Sequence, residues 1–156
     1  MDNLHSKLET YGHYCDEALL SEHFKALIEE ANAAVEPVEC DDIDLDDPSL
    51  ILLDVREPEE FASGYIPGRN TLTIPRGKLE FMAIEKIAKP YGQNTPIITY
   101  CLKGPRGALA AVQLQKLGFT QVRNLKGGIL SWVREGRPIR NYLGLLQAAK
   151  QSSPSG

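Results

Sequence analysis

The sequence predicts a three-layer α/β domain: a central, mostly parallel sheet with helices on both faces, preceded by an N-terminal amphipathic helix. Three observations carry this prediction. Four short runs, at residues 50–55, 71–74, 97–100 and 121–125, are apolar with little polar alternation, as strands covered on both faces should be. Helical patterns separate these runs, so β and α alternate along the chain. The chain has 156 residues, 42% of them hydrophobic, which is enough for one real core and too little for two domains.

The first element runs from Asp16 to Val35, where Leu20, Phe24, Leu27, Ile28, Ala31 and Val35 recur at helical spacing. Its apolar stripe needs cover, so it should dock on the main domain. Pro37 ends it, because proline cannot continue the helical hydrogen-bond ladder. Residues 39–47 hold six carboxylates in nine positions. Asp41, Asp42, Asp44 and Asp46 resemble a calcium loop in composition only, with no glycine turn and no closing glutamate, so the stretch reads as solvated. Between the predicted strands lie helical segments at 57–63, 77–89 and 106–117, the last with Leu109, Val112, Leu114 and Leu117 as its apolar positions. A final helix around 129–135 carries the only tryptophan, Trp132. The expected organisation is an N-terminal helical extension (1–37), a main domain (38–140), and a C-terminal helix with a disordered tail (141–156).

No apolar run reaches the length of a membrane span, and Met1-Asp2-Asn3-Leu4-His5 lacks the basic and apolar regions of a secretory signal, so the reading is cytoplasmic. Three cysteines with no CxxC pair argue for reduced thiols rather than a disulfide framework. The net charge of −4 hides an asymmetry: residues 1–60 carry 18 acids and 3 bases, and residues 61–156 carry 14 bases and 3 acids. The basic half suits an anionic ligand, or else a face that pairs with the acidic half. Its bases are scattered and not interleaved with aromatics, which argues against nucleic acid.

The sharpest local signal follows the third predicted strand: Cys101-Leu102-Lys103-Gly104-Pro105-Arg106-Gly107, then a helix. Ligands of open α/β sheets bind beyond the carboxyl ends of strands, which makes Cys101 a candidate nucleophile. A turn here can aim successive N–H groups inward as an anion nest, continuous with the positive end of the next helix. Lys103 and Arg106 add charge, and the combined field favours a thiolate. Pro105 has no N–H, leaving at most five donors: Leu102, Lys103, Gly104, Arg106 and Gly107. The plainer alternative is a buried cysteine ending a core strand. All three histidines, His5, His13 and His23, precede the main domain, so no imidazole base is expected beside Cys101. That suits a thiolate attacking sulfur, where little proton transfer is needed. The spacing of His5, His13, Cys15 and His23 matches no usual zinc pattern, so no metal is assigned.

Several ordered motifs resemble the rhodanese (thiosulfate sulfurtransferase) superfamily in its single-domain form. Leu53-Asp54-Val55-Arg56-Glu57 resembles the family's D-V-R-E segment, Phe61 to Gly68 (FASGYIPG) its F-x-x-G-H-I-P-G motif, and Ile74-Pro75-Arg76 the next strand end. Cys101 to Arg106 is similar to the six-residue active loop, and Gly127-Gly128 with Trp132 to the closing G-G-x-x-x-W. Tyr65 replaces the family's usual histidine and Arg69 its usual alanine. Leu102 stands where thiosulfate-specific members often carry a basic residue, while Lys103 and Gly104 agree with their loop.

The resemblance implies sulfur transfer through a persulfide on Cys101, with Leu102, Lys103, Gly104, Arg106 and Gly107 around the substrate. Arg76 reads either as a further anion contact or as a surface residue, and Asp54 with Arg56 as a structural ion pair beneath the loop. The implied partners are a small anionic sulfur donor and a thiol or cyanide acceptor, a protein thiol included, with no cofactor, nucleic acid or membrane. Two other readings stay open. One is a phosphatase or arsenate reductase, whose similar loop is longer than the four residues that separate Cys101 from Arg106. The other is a non-catalytic interaction module that uses the N-terminal helix. Cys15 and Cys40 are candidates to resolve an oxidised Cys101.

Overall fold

The structure is a computed structural model and describes residues 16–151. His5, His13, Cys15 and nearly all of the expected C-terminal tail lie outside the described residues. Five strands form one all-parallel sheet in the order β1-β5-β4-β2-β3. They are β1 (Glu36–Val38), β2 (Ile51–Asp54), β3 (Asn70–Thr73), β4 (Ile97–Tyr100) and β5 (Val122–Leu125). Every residue of β2 and β4 is buried, which is why these strands are dominated by apolar residues, with Asp54 and Thr99 as the polar exceptions.

Successive strand residues face opposite sides of the sheet. Ile51, Leu53 and Ile97 therefore pack with Leu79, Ala83, Ala110 and Leu114 on one face. Leu52 and Ile98 pack with Ile66, Ile129 and Trp132 on the other. The helices that cover these faces are α1 (Glu17–Ala34), α2 (Pro58–Ser63), α3 (Leu79–Ala83), α4 (Lys89–Tyr91), α5 (Pro105–Lys116) and α6 (Gly128–Arg134). Trp132 is 1% exposed, and its indole N–H donates to the Pro138 carbonyl at 2.7 Å, so the large ring is buried without an orphaned donor.

Four departures from the sequence reading have local causes. Strand β1 was not foreseen: it is three residues long, contains Pro37, and lies at the sheet edge, where a missing N–H is tolerated. The segment expected as one helix over 77–89 is α3, a π-helical turn (Ile84–Ala88) and α4, and the widened turn falls just ahead of Pro90, which cannot continue an α ladder.

The C-terminal helix expected after residue 141 is not formed. Instead β6 (Ile139–Asn141) and β7 (Gly144–Leu146) pair antiparallel, because Arg140 is held extended by two backbone bonds to Tyr65, at 2.9 and 3.0 Å. The stripe of α1 is covered only at its end. Ala31 and Val35 are buried where the helix meets α5, whereas Leu20, Phe24 and Leu27 are each more than half exposed. The helix begins where Asp16 caps it, accepting from the Leu19 N–H at 3.0 Å. The acidic stretch uses its carboxylates in turns, with Asp44 accepting from the Asp46 N–H and Asp47 from the Ser49 N–H.

Candidate functional site

Strand β4 is fully buried and ends at Tyr100, delivering Cys101 to the carboxyl edge of the sheet with 1% of its surface exposed. The chain then turns through Leu102 to Gly104 and enters α5 at Pro105, a residue suited to the first helical position. Gly104 has φ +127°, in the region that favours glycine, and its N–H donates to Cys101 Sγ at 3.1 Å. Among the described residues it is the one amide that meets the sulfur; the nest of up to five donors expected from the sequence is a single N–H here.

The neighbouring carbonyls point elsewhere, because α6 holds them. The leading N–H groups of α6, those of Ile129 and Leu130, donate to the carbonyls of Cys101 at 2.9 Å and Leu102 at 3.0 Å. This contact needs a glycine at 128. A Cβ there would lie 2.4 Å from the Leu102 oxygen and 2.6 Å from the Cys101 oxygen, and φ is +65°. The closing Gly127-Gly128 pair thus clamps the cysteine loop, with the negative ends of its peptide dipoles directed away from the sulfur and into the N-terminus of α6.

The charges fall out differently from the sequence expectation. Arg106, expected to face an anionic substrate, is engaged by Glu60 of α2 in a two-pronged ion pair at 2.7 and 2.9 Å. Those hydrogen bonds, against an opposing effect of burial and helped by the Glu57 backbone and the charges of Arg106 and Arg56, hold the Glu60 carboxyl down at about 2. Glu60 also closes a capping box with Glu57, so α2, Arg106 and the loop form one connected unit. Lys103 is exposed and makes no ion pair among the described residues. It lines a cavity of about 360 Å³ between α1, the end of β1 and the outer side of the loop, shared with Asn32, Asn124, Lys126 and Gly127. Leu102 is 38% exposed at the rim, and Gly107 is buried in the first turn of α5. Arg76 stands after β3, its N–H on the Val55 carbonyl at 2.9 Å and its guanidinium on Glu80 at 2.7 Å. Among the described residues no hydrogen bond or ion pair joins it to the cysteine loop.

Asp54 and Arg56 lie beneath this edge at 0% and 4% exposure. Their carboxylate and guanidinium meet through contacts of 2.7 to 3.1 Å, and Arg56 also donates to the Gly64 carbonyl at 2.6 Å. Burial is the largest influence on the Arg56 charge and opposes it, but the hydrogen bonds and charge of Asp54, together with the charges of Tyr100 and Glu60, outweigh it in sum and raise the pKa. The pair ties the end of β2 to the segment after α2. Nearby, Tyr65 stacks on Phe61 with ring centres 4.4 Å apart.

Three polar residues at the site were missed from the sequence: Glu60, Thr99 and Asn124. Thr99 carried a readable signal as the polar residue of an otherwise apolar strand, whereas Asn124 follows Arg123 in β5 and stands out less; both are buried. They face each other across β4 and β5 and contact the loop from below. Cys40 is no partner for Cys101. It packs on the opposite face of the sheet, where burial first and Glu135 second push its thiol up. No described helix is long and apolar enough to cross a membrane.

Comparison with known proteins agrees with this geometry. The family model "Rhodanese-like domain" matches residues 37–135. A sulfurtransferase of Allochromatium vinosum is 34% identical over 94 residues, covering 60% of this chain and 81% of that one. The human thiosulfate:glutathione sulfurtransferase is 34% identical over 93 residues, covering 54% of this chain and 79% of that one. The match to a Schizosaccharomyces pombe protein, 36% identical, spans 65% of that relative's length. Among solved structures, the homodimeric polysulfide-sulfur transferase of Wolinella succinogenes superposes with a TM-score of 0.65 at 29% identity, covering 78% of this chain and 89% of that one. With the family model matching residues 37–135 and a sulfurtransferase 34% identical across 81% of its own length, the chain belongs to the rhodanese-like domain family.

Proposed function

We propose that the chain is a sulfurtransferase that carries sulfane sulfur as a persulfide on Cys101. The Cys101 thiolate attacks the outer sulfur of an anionic donor of the thiosulfate type. The donor's S–S bond breaks, sulfite leaves with the bonding electron pair, and a new S–S bond joins that sulfur to Sγ. An acceptor thiolate or cyanide then attacks the terminal sulfur, and Cys101 leaves as a thiolate. Neither step requires a general base, in keeping with a site that has no histidine among the described residues around it.

The observation that carries this reading is the Gly104 N–H on Sγ at 3.1 Å, with the Cys101 and Leu102 carbonyls held off by α6. Such an environment stabilises negative charge on sulfur and on the persulfide that follows. The 1% exposure of Cys101 favours a donor whose outer sulfur projects alone, over a tetrahedral phosphate or arsenate. With Arg106 committed to Glu60, Lys103 is the loop cation placed to attract the donor, and the adjoining cavity offers an acceptor thiol room beside a second lysine, Lys126. The human relative's name pairs thiosulfate with glutathione, which supports a small thiol as acceptor.

Treatment with thiosulfate is expected to add the mass of one sulfur atom at Cys101, and cyanide to remove it. Cys101→Ser should show neither change nor turnover. Full turnover by that variant sinks the mechanism, and hydrolysis of an aryl phosphate without sulfur uptake would replace it with a phosphatase.

A further inference from the structure

The loop that faces Cys101 is held from below by a side chain on the neighbouring strand. Asn124, 6% exposed, sits in β5 directly opposite Thr99 of β4. Its Nδ2 donates to the Gly104 carbonyl at 3.1 Å, which also receives the Ala108 N–H at 3.0 Å. Its Oδ1 lies 3.1 Å from the Thr99 hydroxyl, whose single proton it shares with the Gly107 carbonyl at 2.8 Å. Oδ1 runs so close under the first turn of α5 that a Cβ on Gly107 would stand 2.2 Å from it. The two glycines of the loop therefore have separate tasks: Gly104 adopts the φ that turns its N–H to sulfur, and Gly107 leaves space for the carboxamide that fixes Gly104.

We infer that Asn124 is a positioning residue for the proposed sulfur transfer: by holding the carbonyl of Gly104 it keeps the N–H of that residue on Cys101 Sγ. The Gly104 carbonyl belongs to the peptide shared with Pro105 and the Gly104 N–H to the peptide shared with Lys103; with no side chain at Gly104 to restrict φ and ψ, the first peptide, fixed by the Ala108 N–H and by Asn124, limits where the second can turn. Losing the carboxamide loosens the Gly104–Pro105 peptide and, through the free φ and ψ of Gly104, lets the N–H of the preceding peptide swing off the sulfur. The inference rests on Cys101 being the nucleophile, but alkylation of the thiol tests it without any sulfur donor.

The experiment is the rate of Cys101 alkylation by iodoacetamide against pH, in Cys40→Ala and Cys15→Ala background so that one thiol reports. Asn124→Ala should slow alkylation at pH 7 about tenfold, the effect of one lost charge-assisted hydrogen bond. Its profile should move to the alkaline side and reach the same plateau at high pH. A purely structural role gives the opposite sign, because loosening a domain around a cysteine that is 1% exposed speeds its alkylation at every pH. Unchanged or faster alkylation at pH 7 overturns the inference. Thr99→Val removes the hydroxyl that orients Asn124 and nearly keeps the side-chain shape. It should slow alkylation in the same direction and decides the matter if Asn124→Ala does not fold. Ile87→Val, a core truncation away from the loop, should leave the profile in place. If wild-type Cys101 takes up no sulfur from thiosulfate while these alkylation effects hold, the sulfur-transfer reading fails and the positioning role stands.

Discussion

Gly128→Ala tests how closely the α6 clamp is tied to the chemistry at Cys101. Two costs can be read from the structure. At φ +65° an alanine takes up the left-handed region, which costs about 1–2 kcal/mol relative to glycine. The new Cβ would also lie 2.4 Å from the Leu102 oxygen, against 3.4 Å for ordinary contact, so loop or helix must yield by about 1 Å. The atoms that the Cβ meets are all backbone and the Cβ itself has no rotamer, so no side-chain rotation can relieve the conflict. A displacement of about 1 Å at a reacting group costs on the order of 10²-fold in rate. The expected variant is folded, melts a few degrees lower, and transfers sulfur from thiosulfate to cyanide about a hundredfold more slowly. Gly92→Ala is the control: φ is +89° there too, but a Cβ meets nothing within 4 Å, so stability should fall while turnover stays. A folded Gly128→Ala protein with turnover within about threefold of wild type would refute the claim that this clamp positions the loop.

Two further outcomes follow from the ion pairs. Arg56→Met leaves Asp54 charged at 0% exposure and should cost about 3–5 kcal/mol in urea unfolding, with part of the loss recovered when Asp54→Asn is added. Wild-type stability without that recovery in the double variant would show that the pair is not what ties β2 to the segment after α2. The Glu60 carboxyl is held at about 2 in the folded protein against an ordinary 4.5, so its contribution is complete above about pH 4.5 and is lost as the pH falls toward 2. Melting temperatures of wild type and Glu60→Gln should therefore converge across that window; a constant gap between them would contradict the assignment.

Much of the fold was legible because parallel strands buried on both faces leave a simple mark. For that reason Ile97 to Tyr100 is a short apolar run with Thr99 as its one polar interruption, and the predicted and observed strands coincide there. Strand β1 was hidden because three edge residues with a proline carry no periodicity, and the hairpin at β6 and β7 because Tyr65, far away in sequence, decides it. At the site, Cys101 and its glycines were visible as a loop motif with strong local geometry. The partner of Arg106 was not, since a lone glutamate in an acidic helix start looks solvated until the tertiary fold brings α2 against α5. Thr99 could have been singled out as the polar residue of an otherwise apolar strand, while Asn124 was masked by its neighbour Arg123 in β5.

Helix α1 is built in two unequal parts. Its final turns share a core with α5, but its first turns rest on their own hydrogen bonds and an aspartate cap, with Leu20, Phe24 and Leu27 turned to water. A lone helical stretch of that length is marginal in solution. Amide deuteration should accordingly run as a gradient along one continuous helix, fast near Glu17 and slow near Ala31, with the sheet behind it undisturbed while the leading turns come and go.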